Sequence, residues 1–410
     1  MLAFEVHIDL IAVRKRDRGQ PGSLRAGIQR GVGGVASVLA SMIALLCSLA
    51  APAVAGAIDL DPAATEGWAL PDAHLYGVAA NGSDAWAVGY WGTVLRSTDR
   101  GETWKRVPTP TDASLYAVAF ADARHGWAVG ASGTLLRSDD GGRTWERVRV
   151  EISDELGASI PLDSPLFGVA ATSPTDAWAV GDFGVVLHTR NGRQWQQVTI
   201  PEERFADENI PDRIFNAVRF TDREHGTITG EFGTLLRTGD GGETWTGERQ
   251  FEGVIEDIYL FDVAPNGHGV ALSTGVGGVS IRTGDGGMQW TATDSGTTAG
   301  LFGAAIRNRR ALMVGDRGVM RVSDDAGVTW RRPERPRFFN WLQGVAFADD
   351  DLAYAVGEHG VVVRSQDGGE RWEWKHGRQP RPEAGVSVPD PGARAKPGTG
   401  PESQRGPMEP

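Results

Sequence analysis

From residue 75 onward the apolar positions come in short runs separated by glycine-bearing turns. Leu75-Tyr76-Gly77-Val78-Ala79 is followed by Ala85-Trp86-Ala87-Val88, then by Thr93-Val94-Leu95-Arg96 and Trp104-Lys105-Arg106-Val107. Runs of four or five residues bounded by turn signals have the length of β-strands. The third run is apolar on both faces, as a sheet sandwiched between neighbouring sheets requires. The same succession returns as Leu166-Phe167-Gly168-Val169-Ala170 with Ala177-Trp178-Ala179-Val180, and as Thr134-Leu135-Leu136-Arg137 and Thr234-Leu235-Leu236-Arg237. A Gly-x-x-Gly turn joins the second run to the third, as in Gly89-Tyr90-Trp91-Gly92 and Gly230-Glu231-Phe232-Gly233. Two residues between glycines close a tight hairpin, because glycine tolerates positive φ.

The third run leads into Ser97-Thr98-Asp99-Arg100-Gly101-Glu102-Thr103-Trp104, which recurs as Ser138–Trp145 and Ser323–Trp330. Looser copies are Thr238–Trp245, Thr283–Trp290 and Ser365–Trp372, and Thr189–Trp195 is one residue short. The closing tryptophans are Trp104, Trp145, Trp195, Trp245, Trp290, Trp330 and Trp372, spaced 41, 50, 50, 45, 40 and 42 residues apart. A period of that length with several short strands per copy predicts an all-β chain, a seven-bladed β-propeller of four-stranded antiparallel blades over residues 58–375. No strand remains to join the last blade to the first; Ile58 to Leu70 is the candidate for that role.

The ends read differently. Arg14, Lys15, Arg16, Arg18, Arg25 and Arg30 precede an apolar run from Gly31 to Ala57, closed by the small-residue pattern Ala53-Val54-Ala55. Residues 1–57 therefore read as a signal peptide and the protein as exported, to the periplasm or the outer side of a membrane. An uncleaved anchor is the alternative, since about 20 apolar residues span a bilayer. Residues 376–410 hold eight of the 22 prolines and few apolar residues. They read as a disordered tail unable to offset chain entropy.

Composition narrows the chemistry. The net charge is −12, which makes non-specific binding to nucleic acid unfavourable. The single cysteine, Cys47, lies in the leader, so the propeller is expected to hold no disulfide or thiolate metal site. The repeated Asp99, Asp140, Asp240, Asp285, Asp325 and Asp367 read as structural turn residues, the carboxylate accepting backbone N–H groups of its own turn. His125, His225 and His268 precede glycine at equivalent turns and read as turn residues rather than metal ligands. No catalytic residue, cofactor or small-molecule substrate is indicated. A secreted Asp-box glycosidase or carbohydrate-binding propeller stays the alternative, because isolated carboxylates are plentiful.

Two sets of residues exceed what folding needs. The third strand ends in Arg96, Arg137, Arg237, Arg282 and Arg364, with His188 and Val322 at the other two positions. They read either as braces for their own turns or as a cationic ring suited to carboxylates of a partner. On the opposite face, Trp91, Phe183, Phe232, Arg317 and His359 occupy one position of the Gly-x-x-Gly turn. Exposed aromatic tips suit a protein partner. The connections Glu151 to Pro165 and Pro201 to Asp212 are acidic, whereas the one before the last blade carries Arg331, Arg332, Arg335 and Arg337. They are expected to make that face acidic on one side and basic on the other.

Taken in succession, Asp-Ala-Trp-Ala-Val-Gly, Gly-x-x-Gly-Thr-Leu-Leu-Arg-Ser and Asp-x-Gly-x-Thr-Trp resemble the photosystem II stability and assembly factor family over residues 70 to 375. That resemblance implies a non-enzymatic scaffold holding a membrane-protein partner on the exported side, in the thylakoid lumen if the source is photosynthetic. It also implies an arginine patch that meets the partner, for which Arg96, Arg137, Arg237, Arg282 and Arg364 are the matching positions.

Overall fold

The computed structural model describes residues 73–153, 159–200, 213–248, 251–252, 258–334 and 339–378. The leader over 1–57, the stretch Ile58 to Leu70 and the tail beyond residue 378 lie outside the described residues. Each repeat forms one antiparallel sheet with its strands in sequence order. Seven such sheets make a seven-bladed propeller, blades 1 to 7 spanning 75–107, 115–147, 166–197, 215–248, 260–292, 301–331 and 342–376. Two blades depart from four strands. In blade 6 the fourth strand shrinks to a single bridge between Val322 and Arg331. Blade 5 gains an outer strand, Phe251–Glu252, parallel to Trp290–Ala292.

The first strands are innermost and pack side by side around the axis. Their third residue is therefore small: a Cβ on Gly77 would stand 2.8 Å from the Tyr116 carbonyl of blade 2. Asp262 takes this position in blade 5 and is buried. Its carboxylate lies 3.2 Å from Arg219 of blade 4 and accepts the Ala304 N–H of blade 6 at 3.1 Å, so three blades meet on one side chain. Burial raises its pKa, against the opposing pull of Arg219.

The two glycines of the Gly-x-x-Gly turn serve different purposes. The first is extended, as at Gly181 with φ −166°, so positive φ is not its reason for being there. A Cβ on Gly89 would stand 2.0 Å from the His74 carbonyl, and the other six copies are equally tight. Closeness is what that glycine provides. The next residue donates its N–H to the same carbonyl in every blade, from Tyr90 to His74 through to Glu358 to Trp341. Positive φ falls on the last two residues instead, so that Trp91, Ser132, Phe183, Phe232, Arg317 and His359 all have φ between 51° and 55°.

Blade meets blade at the opposite end. The second-strand residue facing the third-strand arginine points into the aspartate turn of the next blade. A Cβ on that turn's second glycine would lie 2.5 Å from Trp86 at Gly142, 2.2 Å from Trp178 at Gly242, and 2.3 Å from Leu272 at Gly327. The arginine opposite then bonds a carbonyl in the same turn. Arg96 Nε donates to Gly141 O at 2.7 Å, Arg282 Nε to Ala326 O at 2.8 Å, and Arg137 reaches Asn191 O at 3.5 Å. Blade 6 has Val322 at this place, and Arg310 from its second strand substitutes, donating to Gly368 O at 2.7 Å.

The ring closes by the same device, and the four described strands of the last blade all come from the C-terminal repeat. Tyr354 packs under Gly101 of blade 1, edge-on to Trp104 at 5.7 Å. Arg364, 2% exposed, donates to Arg100 O at 2.9 Å and pairs with Glu102 at 2.7 Å. Arg100 in turn pairs with Asp349 at 2.9 Å.

Two outcomes follow from this packing. Arg364→Met leaves the Arg100 carbonyl without this donor and Glu102 with Lys375 alone, and is expected to cost about 1–3 kcal/mol in urea denaturation. Arg317→Met, on an exposed turn, is expected to stay within about 0.5 kcal/mol of wild type; equal stabilities for the two variants would place closure elsewhere. Glu231 in the blade 4 turn is buried, with Oε1 lacking a hydrogen bond. Burial, joined by nearby Asp182, raises its pKa to about 7. The folded state thus holds a proton there that the unfolded chain releases near pH 4.5, so this contribution is complete in acid and is lost as pH rises through 7. Glu231→Gln is expected to be more stable than wild type by about 2 kcal/mol at pH 8, the difference fading by pH 5. Thermal melts at the two pH values check it.

Candidate partner-binding face

The aspartate turns hold themselves. Asp99 accepts Ser97 Oγ at 2.8 Å, Thr103 N at 3.0 Å and Thr103 Oγ1 at 2.6 Å, and Asp140, Asp240 and Asp325 repeat the pattern. Asp285 and Asp367 accept backbone N–H groups in the same way. The hydrogen bonds from Thr103 and Thr244 lower the pKa of Asp99 and Asp240 to about 2. His125 and His225 face Asp122 and Asp222 of their own turns at 2.9 and 3.0 Å. Among the described residues no group of three or more His, Cys, Asp or Glu is placed to hold a metal ion.

The third-strand arginines lie at this end, turned toward the neighbouring blade. Arg137 and Arg364 are buried, and Arg137 also lies 5.6 Å from the Trp127 ring. Arg96 is 3.8 Å from Asp84. His188 stacks on Trp178 at 3.9 Å and meets Asp176 at 3.3 Å. Arg331 belongs to this end too, pairing with Asp324 at 2.7 Å and with Glu370. Arg335, Arg337 and Pro201 to Asp212 lie outside the described residues.

The Gly-x-x-Gly face differs in kind. Trp91 is 47% and Phe183 60% exposed, although each occupies a left-handed backbone position. For a side chain with a Cβ that conformation costs roughly 1–2 kcal/mol, and most of all for a bulky one. Arg317 and His359 stand at equivalent tips with 68% and 48% of their side chains exposed. Phe232 is half-buried against Tyr259, at 6.0 Å, a residue that precedes the first strand of blade 5 rather than lying within it. Beside the tips, Glu151–Ser153 and Ser159–Pro161 form a hairpin that leaves Ile160 exposed, and Phe339 is exposed before blade 7.

A feature not read from the sequence lies inside this rim. The second residue of each first strand borders the axis, and several of these are aromatic. Tyr76 contacts Tyr116 at 5.6 Å, Tyr116 contacts Phe167 at 5.5 Å, and Trp341 stacks on Tyr76 at 6.1 Å. His74 touches both Trp341 and His359 at 5.3 Å, which carries the arc across blades 7, 1, 2 and 3. The His359 N–H donates to His74 Nδ1 at 3.1 Å. Burial, with His359 close by, lowers the His74 pKa. A neutral imidazole among rings suits apolar contact. The sequence signal was the pattern Leu-aromatic-Gly at the head of the first strand, as in Leu75-Tyr76-Gly77 and Leu166-Phe167-Gly168.

The photosystem II stability/assembly factor HCF136 of Arabidopsis thaliana is 38% identical over 82 residues, an alignment spanning 19% of each chain. The photosystem II assembly lipoprotein Ycf48 of a Synechococcus strain is 25% identical over 282 residues, which is 67% of this chain and 79% of the relative. A solved structure of YCF48 bound to a D1 peptide superposes with a TM-score of 0.52 at 22% identity, covering 66% of this chain and 85% of that one. A family profile described as photosynthesis system II assembly factor YCF48 matches residues 103–210 and 206–335. With more than half of its length matched, the chain belongs to the YCF48 photosystem II assembly factor family.

Proposed function

We propose that this protein is an exported, non-enzymatic scaffold that holds an exposed polypeptide segment of a membrane-protein complex on its Gly-x-x-Gly face. The observation that carries the reading is the set of bulky side chains at left-handed turn positions. Glycine would serve each turn at lower conformational cost, yet Trp91, Phe183, Phe232, Arg317 and His359 stand there. Strain kept at an exposed tip is accounted for by something the side chain meets. The aromatic arc through His74, Tyr76, Tyr116 and Phe167 supplies an apolar floor beside the tips, the kind of surface on which interface anchors pack.

Membership of an assembly factor family supports a protein partner, and the relative solved with a D1 peptide supports a peptide segment as what is held. The apolar leader from Gly31 to Ala57 supports export. Arg96, Arg137, Arg282 and Arg364 support the face from beneath by locking the blades, and their engagement with neighbouring turns favours the opposite end for docking. A glycosidase draws little from the aspartate turns, whose carboxylates are bonded within the turn.

Phe183→Gly and Trp91→Gly test this directly. Each variant is expected to hold its melting temperature, or to gain up to about 1 kcal/mol as left-handed strain is relieved. Both are expected to lose the membrane protein that the wild type captures from detergent-solubilised membranes of its source. Capture undiminished in the double variant would sink the docking face. Recovery of cell-wall or surface polysaccharide alone, with hydrolysis of a sugar panel, would favour the carbohydrate alternative.

A further inference from the structure

The blade-to-blade packing leaves a gap at the junction of blades 4 and 5. Between blades 4 and 5, on the aspartate-turn face, a cleft of about 340 Å³ opens, with Thr227, Arg237, Pro265, Gly286, Gly287 and Trp290 in its walls. Its origin is legible in the other blades. In blade 1 the corresponding space is filled by Trp86, stacked on Phe120 of blade 2 at 3.6 Å, with its Nε1 donating to Gly141 O at 2.9 Å. In blade 3 it is filled by Trp178, against Phe220 of blade 4 at 5.5 Å. Blades 5, 6 and 7 use Leu272, Leu312 and Tyr354, each within 2.3 Å of a Cβ placed on the facing glycine.

Blade 4 has Thr227 for the indole, and blade 5 has Pro265 for the stacking ring. At Gly287 the nearest atom to an added Cβ is Arg237 Cδ at 3.6 Å, an ordinary contact, so this turn alone among its full-length copies would accept one without a clash. The aspartate turn, the arginine opposite Thr227 and the buried Trp290 are all retained. We propose that this cleft is a ligand site for an indole ring, which enters where Trp86 and Trp178 sit in their own blades. Its N–H would meet the Gly286 carbonyl, the counterpart of Gly141 O, and its faces would lie against Pro265 and Arg237. The volume lies at the lower end of the range for small-molecule sites and suits one bicyclic ring.

The chemistry is shared by free indole compounds and by a tryptophan side chain of a polypeptide, and one titration separates them. Indole and N-acetyl-tryptophanamide are added to the full chain and followed by protein-observed NMR, with N-acetyl-leucinamide as control. Indole is expected to bind with a dissociation constant on the order of 1 mM, shifting Thr227 and Gly286–Gly287 resonances while the leucine amide does not. Equal binding of the tryptophan amide assigns the site to a polypeptide, and binding of indole alone assigns it to a small molecule.

Thr227→Trp should close the cleft from within, weakening indole binding at least ten-fold and raising the melting temperature. Thr227→Leu, copying blades 5 and 6, serves if the larger side chain does not fold. Absence of binding at 10-fold above ~1 mM, or binding unchanged in a folded closing variant, overturns the proposal. The Phe183→Gly protein should bind indole as the wild type does, so this site and the docking face fail or stand separately.

Discussion

The recurrent joint between blades is a side chain wedged against a turn glycine beside a guanidinium bonded to the adjoining carbonyl. The two groups come from directly opposed residues of neighbouring strands, as Trp86 and Arg96 or Tyr354 and Arg364 show. A glycine without a Cβ is what lets the wedge in, and the aspartate keeps that turn in the one shape that presents the carbonyl outward. Because the interaction joins copy to copy, it serves equally between blade 7 and blade 1. Among the described residues the junction of last and first blades uses the same contacts, since Arg364 finds in the first blade what Arg96 finds in the second.

Where a blade lacks one half of the device, another residue stands in. Arg310 reaches the blade 7 turn in place of Val322, and His188 covers Trp178 by stacking. Blade 4 is the exception. Thr227 and Pro265 both fall short of their counterparts, and the space stays open while the surrounding turn is intact. A close-packed β-sheet assembly does not relax into such a gap, because neighbouring strands are held by their own ladders.

Locking one end leaves the other free to vary. The Gly-x-x-Gly turn is defined by backbone, through a carbonyl contact that excludes a Cβ and a hydrogen bond repeated in all seven blades. Its third residue contributes no bond that the turn depends on, so Trp, Ser, Phe, Gly, Arg and His all occur there. That freedom, on a rigid scaffold, is the condition under which a surface acquires a partner.

Much of this was written in the sequence. The tryptophan period and the alternation of apolar runs with turns define seven copies and their strand order, because every copy must bury the same faces. The tip residues were also visible, as departures at one place in a constant turn. What only the tertiary structure decided was which neighbour each side chain meets. A strand register shows Arg137 opposite Trp127, but not that both face the next blade, 54 and 65 residues away in sequence. The first turn glycine looked like a positive-φ residue, and its cause is the carbonyl of the residue that precedes the first strand. Thr227 stands where other blades carry Trp86, Trp178 or Leu272; whether such a change closes or opens a space depends on the residue across the blade junction, and contact across chain segments is set by packing alone.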